Sequence, residues 1–120
     1  MGYHMEYRDS DFFIKKSNFQ RALARLRKNP DISVSGAKTL PDAFRDLGWE
    51  PEINNDGDIE YLYTHHYKLH DEDLSMLKAV APCVEAGSYI EMSGEEGYIW
   101  RWVFNGQTFR EVTPEITWPK

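Results

Sequence analysis

Cysteine is almost absent: Cys83 stands alone in the 120 residues, which excludes an internal disulfide framework and fits a reducing compartment. No apolar run approaches the ~18 residues that a membrane-spanning helix requires. Met1 to Ser10 shows no basic start followed by an apolar stretch, so no secretory signal is expected and the expected location is cytoplasmic. Neither repeats, nor low-complexity tracts, nor a linker break the chain, and one domain over residues 1–120 follows. A glycine-rich phosphate loop, a G-x-S-x-G elbow and an HExxH pair are also missing. These gaps point away from an enzyme, with no catalytic residue, cofactor or metal expected.

Aromatic residues, by contrast, are plentiful at 14%, so large rings must supply much of the burial. Charge is unevenly spread along an acidic chain of net charge -6. Met1 to Gly48 carries 9 Lys/Arg against 6 Asp/Glu, a net +3, whereas Trp49 to Lys120 carries 5 against 14, a net -9. Such asymmetry can orient a partner through long-range attraction.

Periodicity predicts the elements. Tyr3, Met5 and Tyr7 alternate with polar residues, a strand that continues or re-forms at Phe12 to Ile14. Ser17 with Gln20 three residues on matches a capping box opening a first helix, whose buried stripe is Phe19, Ala22, Leu23 and Leu26, stopped at Asn29-Pro30. Thr39 caps a second helix with stripe Leu40, Ala43, Phe44 and Leu47 and a stop at Gly48. Trp49 to Ile53 and Asp58 to His66 flank a turn-rich Asn54-Asn55-Asp56-Gly57 and predict a hairpin, with Ile59, Tyr61 and Tyr63 on one side. Asp71 is the expected cap of a third helix that buries Leu74, Leu77, Val80 and Ala81 and ends at Pro82.

The C-terminal third predicts a meander: Gly87 to Ser93, Tyr98 to Phe104 and Gln107 to Thr113, with a two-residue turn at Asn105-Gly106. The fold class is therefore α+β, a mainly antiparallel sheet in the order β-α-α-β-β-α-β-β-β with helices on one face. With that turn, Trp102 faces Phe109, Trp100 faces Glu111, and Arg101 falls opposite Arg110. Like charges directly opposite are unfavourable, so either acidic neighbours separate the two arginines or the register differs. One sheet face then carries Tyr98, Trp100, Trp102, Phe104 and Phe109 with Glu91 and Glu111; the other carries Ile90, Met92, Ile99, Val103 and Val112. The candidate binding site is that aromatic and acidic face: Tyr98, Trp100, Trp102, Phe109, Glu91 and Glu111. The competing account makes the same rings the core beneath the helices.

Other clusters are weaker. Lys15, Lys16, Arg21, Arg25, Arg27 and Lys28 crowd the first helix, with Arg21, Arg25 and Lys28 on one side, as a phosphate-binding helix would. In an acidic domain the expectation is a solvated face, or one paired with the acidic half, and nucleic acid is not an expected partner. His65, His66 and His70 lie near Asp71, Glu72 and Asp73, which is the basis of an alternative, a small metal-dependent enzyme. Against it, adjacent strand residues point to opposite faces, so His65 and His66 do not converge. The acids around Gly57 fail as a calcium loop, because Tyr63 occupies the place of the bidentate Glu. Cys83, beside Pro82 and Val84, is expected to be a packed thiol.

The runs Gly87-Ser88-Tyr89-Ile90-Glu91-Met92, Gly94-Glu95, Trp100-Arg101-Trp102-Val103-Phe104 and Ile116-Thr117-Trp118 form a pattern, as do Met1-Gly2-Tyr3 and Asp9-Ser10-Asp11-Phe12-Phe13-Ile14. The pattern covers most of the chain and resembles a group of small, mostly uncharacterised proteins of bacteriophages and prophage-bearing bacteria. That resemblance brings no activity and no catalytic residue. It implies a context, that of an accessory factor binding a host or phage protein, such as a defence inhibitor. A self-associating module, a homodimer through an edge strand or exposed aromatics, is the remaining reading.

Overall fold

The structure, a computed structural model, describes residues 3–34, 36–66, 68–115 and 118; the Met1-Gly2 start and the Ile116-Thr117 pair of the pattern above lie outside the described residues. Its elements run β1 (Tyr3–Asp11), α1 (Phe19–Lys28), α2 (Leu40–Asp46), β2 (Trp49–Ile53), β3 (Ile59–Thr64), β4 (Lys68–Leu69), α3 (Asp71–Val80), β5 (Tyr89–Gly94), β6 (Ile99–Phe104) and β7 (Phe109–Val112). This is the expected α+β order with one short extra strand, β4. Five strands form an antiparallel sheet in the order β4-β1-β5-β6-β7, and β2-β3 is a separate hairpin.

Two β-bulges set which side chains point inward. In β1 the pairing with β5 shifts between Tyr7 and Asp9, so the inward phase passes from Met5 and Tyr7 to Ser10, and on to Phe12 and Ile14. One inserted residue reverses the alternation, which is why a single strand carries both patterns. In the hairpin, Glu52 pairs with Tyr61 but Ile53 with Ile59, leaving Glu60 as the extra residue of β3. Ile59, Leu62 and Thr64 are therefore buried while Tyr61 is exposed, which corrects the expected common side for Ile59, Tyr61 and Tyr63. Ile14 and Ile59 exchange backbone hydrogen bonds of 3.0 Å, and Phe12 N donates to Glu60 O, so the hairpin hangs from the segment after β1.

The helices pack their apolar stripes onto one face of the sheet. Ala22, Leu23 and Leu26 of α1, and Leu40, Ala43 and Phe44 of α2, join Met5, Ile90, Met92, Trp102 and Phe104 in one core. Phe12 sits at its centre, edge-on to Phe104 at 5.3 Å and to Phe44 at 6.2 Å. Thr39 caps α2 as expected, its Oγ1 accepting from Asp42 N at 3.2 Å. Two other caps differ. Ser17 lies in a 3-10 turn, Lys16–Asn18, and α1 begins after Asn18 with no side-chain cap, so the Ser17/Gln20 capping box does not form. The cap of α3 is His70 rather than Asp71: its backbone N–H donates to Asp73 Oδ2 at 3.0 Å.

Gly48 stops α2 with φ +85°, where a side chain would also overlap the His66 ring. Among the described residues no helix is long and apolar enough to cross a membrane.

Candidate functional site

The meander turn decides what each sheet face offers. Asn105 N donates to Thr108 O, and Asn105 Oδ1 accepts from both Gln107 N and Thr108 N, so the loop holds four residues rather than two. Phe104 then pairs with Phe109, Trp102 with Glu111, and Arg101 with Val112. The shift is by two positions, which preserves each side chain's face but removes Arg110 from opposite Arg101.

On the neighbouring side, Ile90 pairs with Trp102, Met92 with Trp100 and Glu91 with Arg101. Ile90 and Met92 thus share a face with the tryptophans, and that face is the one beneath the helices. Trp100 is 3% exposed and Trp102 0%, so the aromatic face is core and not an open binding surface. The cause is phase: β5 pairs one residue out of the expected step, which sends Glu91 to the opposite face. Of the six expected site residues, Phe109 is half-buried against Phe104, while Tyr98, Trp100 and Glu111 still meet, lining a cleft together with Leu69. Tyr98 is 47% exposed and its ring lies 5.7 Å from that of Trp100.

The outer face, which no helix covers among the described residues, carries a hydrogen-bonded network. Glu91 accepts from Arg101 Nε at 2.7 Å on Oε1 and from Arg8 Nε at 2.9 Å on Oε2. The two guanidinium groups, Arg101 above all, hold its carboxyl below the usual glutamate range. The Arg101 guanidinium also lies 4.0 Å over the Tyr89 ring, and Tyr89 OH donates to Asp9 Oδ2 at 3.0 Å, a hydrogen bond that raises the phenol's pKa. Between these groups lie half-buried Ile99, Val103 and Val112. A cleft of about 320 Å³ opens there beside Glu91, Ile99, Arg101, Val112 and Pro114. The conflict of two opposed arginines was the signal for this site; Glu91 and the shifted register resolve it together.

The histidines separate as their adjacency requires. His65 is exposed with its ring 5.6 Å from Tyr63, while His66 turns toward Trp49 at 6.4 Å and His70 at 5.4 Å. Beneath them is a residue whose role was not legible from its type: Asp73, 2% exposed, accepts from Trp49 Nε1 at 2.9 Å and lies 3.4 Å from His66 Nδ1. That carboxylate pins α3 to the start of β2. Among the described residues no group of three His, Cys, Asp or Glu side chains is placed to hold a metal ion. Cys83 is buried, and burial pushes its thiol up, away from the reactive thiolate. Asn54 Oδ1 accepts from Asp56 N and Asp58 N, which is a turn and accounts for the acids around Gly57.

Of the two expectations for the cations of α1, the structure has the exposed face rather than the one paired with the acidic half. Lys15 meets Glu85 at 3.5 Å, but among the described residues Arg21, Arg25, Arg27 and Lys28 form no ion pair. Arg25 Nε donates instead to Ala79 O at 2.6 Å, and Arg27 Nη2 to Ala37 O. Comparison with protein-family models, with curated proteins and with solved structures finds no match to this chain.

Proposed function

We propose that this protein is not an enzyme but a small acidic binding protein, an accessory factor of phage or prophage origin that modulates a host protein, a defence inhibitor being one such role. The observation that carries the binding reading is the outer face of the five-stranded sheet. Helices cover the other face, whereas here an exposed Arg101 and half-buried Tyr89, Ile99 and Val112 surround the Glu91 network. Tyrosine and arginine are the residue types that anchor protein interfaces, and fixing Arg101 between Glu91 and Tyr89 lowers the ordering cost of using it. The phage context rests on the sequence pattern alone.

The test is capture from host lysate at moderate salt, with a photo-crosslinking residue placed either at Ser93 on the outer face or at Gln20 on α1. The same host protein should crosslink repeatedly from Ser93 and be lost with Arg101→Glu. Failure to crosslink from Ser93, or capture indifferent to Arg101→Glu, removes this face as the binding surface.

A further inference from the structure

A second surface is made by α1 and the end of α3, and its chemistry differs from that of the sheet face. Lys15 to Lys28 holds six cations and no acid, although the chain as a whole is at -6. Arg21, Arg25 and Lys28 fall at i, i+4 and i+7, one side of the helix. Arg25, Lys28 and Lys78 then line a cleft of about 540 Å³ between α1 and α3, together with Ser75 and one acid, Asp31. The hydrogen bond to Ala79 O anchors the Arg25 guanidinium by Nε, so its fork is held at the cleft.

We propose that this row, Arg21, Arg25 and Lys28 with Lys78, docks the phosphate backbone of duplex nucleic acid without reading its sequence. The exposed side of α1 decides between polyanions. It offers Gln20, Arg21, Ala24, Arg25, Arg27 and Lys28, with no large apolar or aromatic side chain. A protein interface sets its arginines among aromatic anchors in a desolvated cluster, and this side of α1 has no aromatic, whereas phosphate tracking needs only positioned cations. Single-stranded nucleic acid is held largely by base stacking on aromatics, which this surface does not present. A helix of ten residues is about 15 Å long, enough to follow several consecutive phosphates. The net charge of -6 keeps such binding weak, and counterion release makes it salt-sensitive.

Fluorescence anisotropy with labelled DNA and RNA duplexes of about 20 base pairs tests this, across about 50 to 200 mM salt. Four phosphate contacts predict a slope of log K against log salt of about -3.6, an affinity loss of about 100-fold over that range. Arg25→Gln/Lys28→Gln should cut the slope by about 1.8. Arg21→Gln/Lys78→Gln should do the same while keeping the bond to Ala79 O, so a folding defect cannot mimic the result. Binding of either duplex with this slope supports the proposal; DNA and RNA binding equally identifies the phosphate chain, and a preference identifies the helical form. No binding at about 50 mM salt, or affinities unchanged in both double variants, overturns it. So does tighter binding of poly-glutamate or of single-stranded DNA, the former making an acidic protein the target. The Arg101→Glu protein should bind duplexes like the wild type, which keeps this outcome separate from that of the sheet face.

Discussion

The two faces of the five-stranded sheet come from alternate residues of the same strands, yet they are built from different physics. Inward, Met5, Ile90, Met92, Trp100, Trp102 and Phe104 are all but sealed from water, so burial of large apolar groups holds the helices to the sheet. Outward, Arg8, Glu91, Arg101, Tyr89 and Asp9 are linked by charge-assisted hydrogen bonds and one cation–π contact, at a solvent boundary where Coulombic attraction is screened. One face supplies stability. The other contributes little to it, so its residues can be chosen for recognition.

The sharpest break of that comparison is Trp102→Ala. Removing a fully buried indole should cost about 3–5 kcal/mol in denaturant unfolding, a large part of the stability of a domain this size. A cost below about 1 kcal/mol would mean the inner face is not the core described. Next comes Asp73→Ala, which leaves the Trp49 indole N–H and the His70 backbone N–H without their acceptor. A loss of about 1–3 kcal/mol is expected, and Trp49→Phe in the same background should cost less than it does alone.

Outside, Glu91→Gln should cost less than about 1 kcal/mol at neutral pH, since both arginines are nearly half exposed. Its signature is in pH. A carboxyl whose folded pKa lies below its unfolded value contributes stability above the ordinary glutamate range and loses it as pH falls through the folded value. Wild type and Glu91→Gln should therefore differ most at neutral pH and converge in acid; curves that stay parallel would show that the network does not couple to folding. The smallest perturbation is aqueous quenching of tryptophan fluorescence. Trp118, 80% exposed, should be quenched freely, while Trp49, Trp100 and Trp102 are shielded. Accessible emission from more than one of the four tryptophans would contradict the assignment of faces.

The edge of the sheet adds a constraint on self-association. Continuing the sheet through two antiparallel copies of β7 pairs residues of the same face, so the central registers set Arg110 against Arg110 or Glu111 against Glu111. Light scattering over a concentration series should then show no dimer formed through β7.

Much of the fold was legible because it rests on local patterns. The stripes of α1 and α2, the Thr39 cap, the Asn54–Gly57 turn and the three strands of the meander each follow from spacing within a few residues. The capping box failed because Ser17 was drawn into a 3-10 turn whose Lys16 N–H donates to Asp58 Oδ1, a partner 42 residues away. The candidate site was half legible: Arg101 was expected beside Ile99, Val103 and Val112, where it lies, but Glu91 was expected on the opposite face. A strand's alternation states which residues share a face, not which neighbour's residues join them, and a loop of four residues instead of two moves the pairing.

By itself, then, the sequence determined the element types, the α+β class and the large share of rings in the core, because these depend on composition and short-range periodicity. Only the tertiary structure decided that Trp100 and Trp102 face the helices, that Glu91 stands between Arg8 and Arg101, that Asp73 is buried under Trp49, and that the cations of α1 form no ion pair among the described residues. Each of these depends on register and packing between segments distant in the chain, where one bulge or one longer turn reassigns every neighbour.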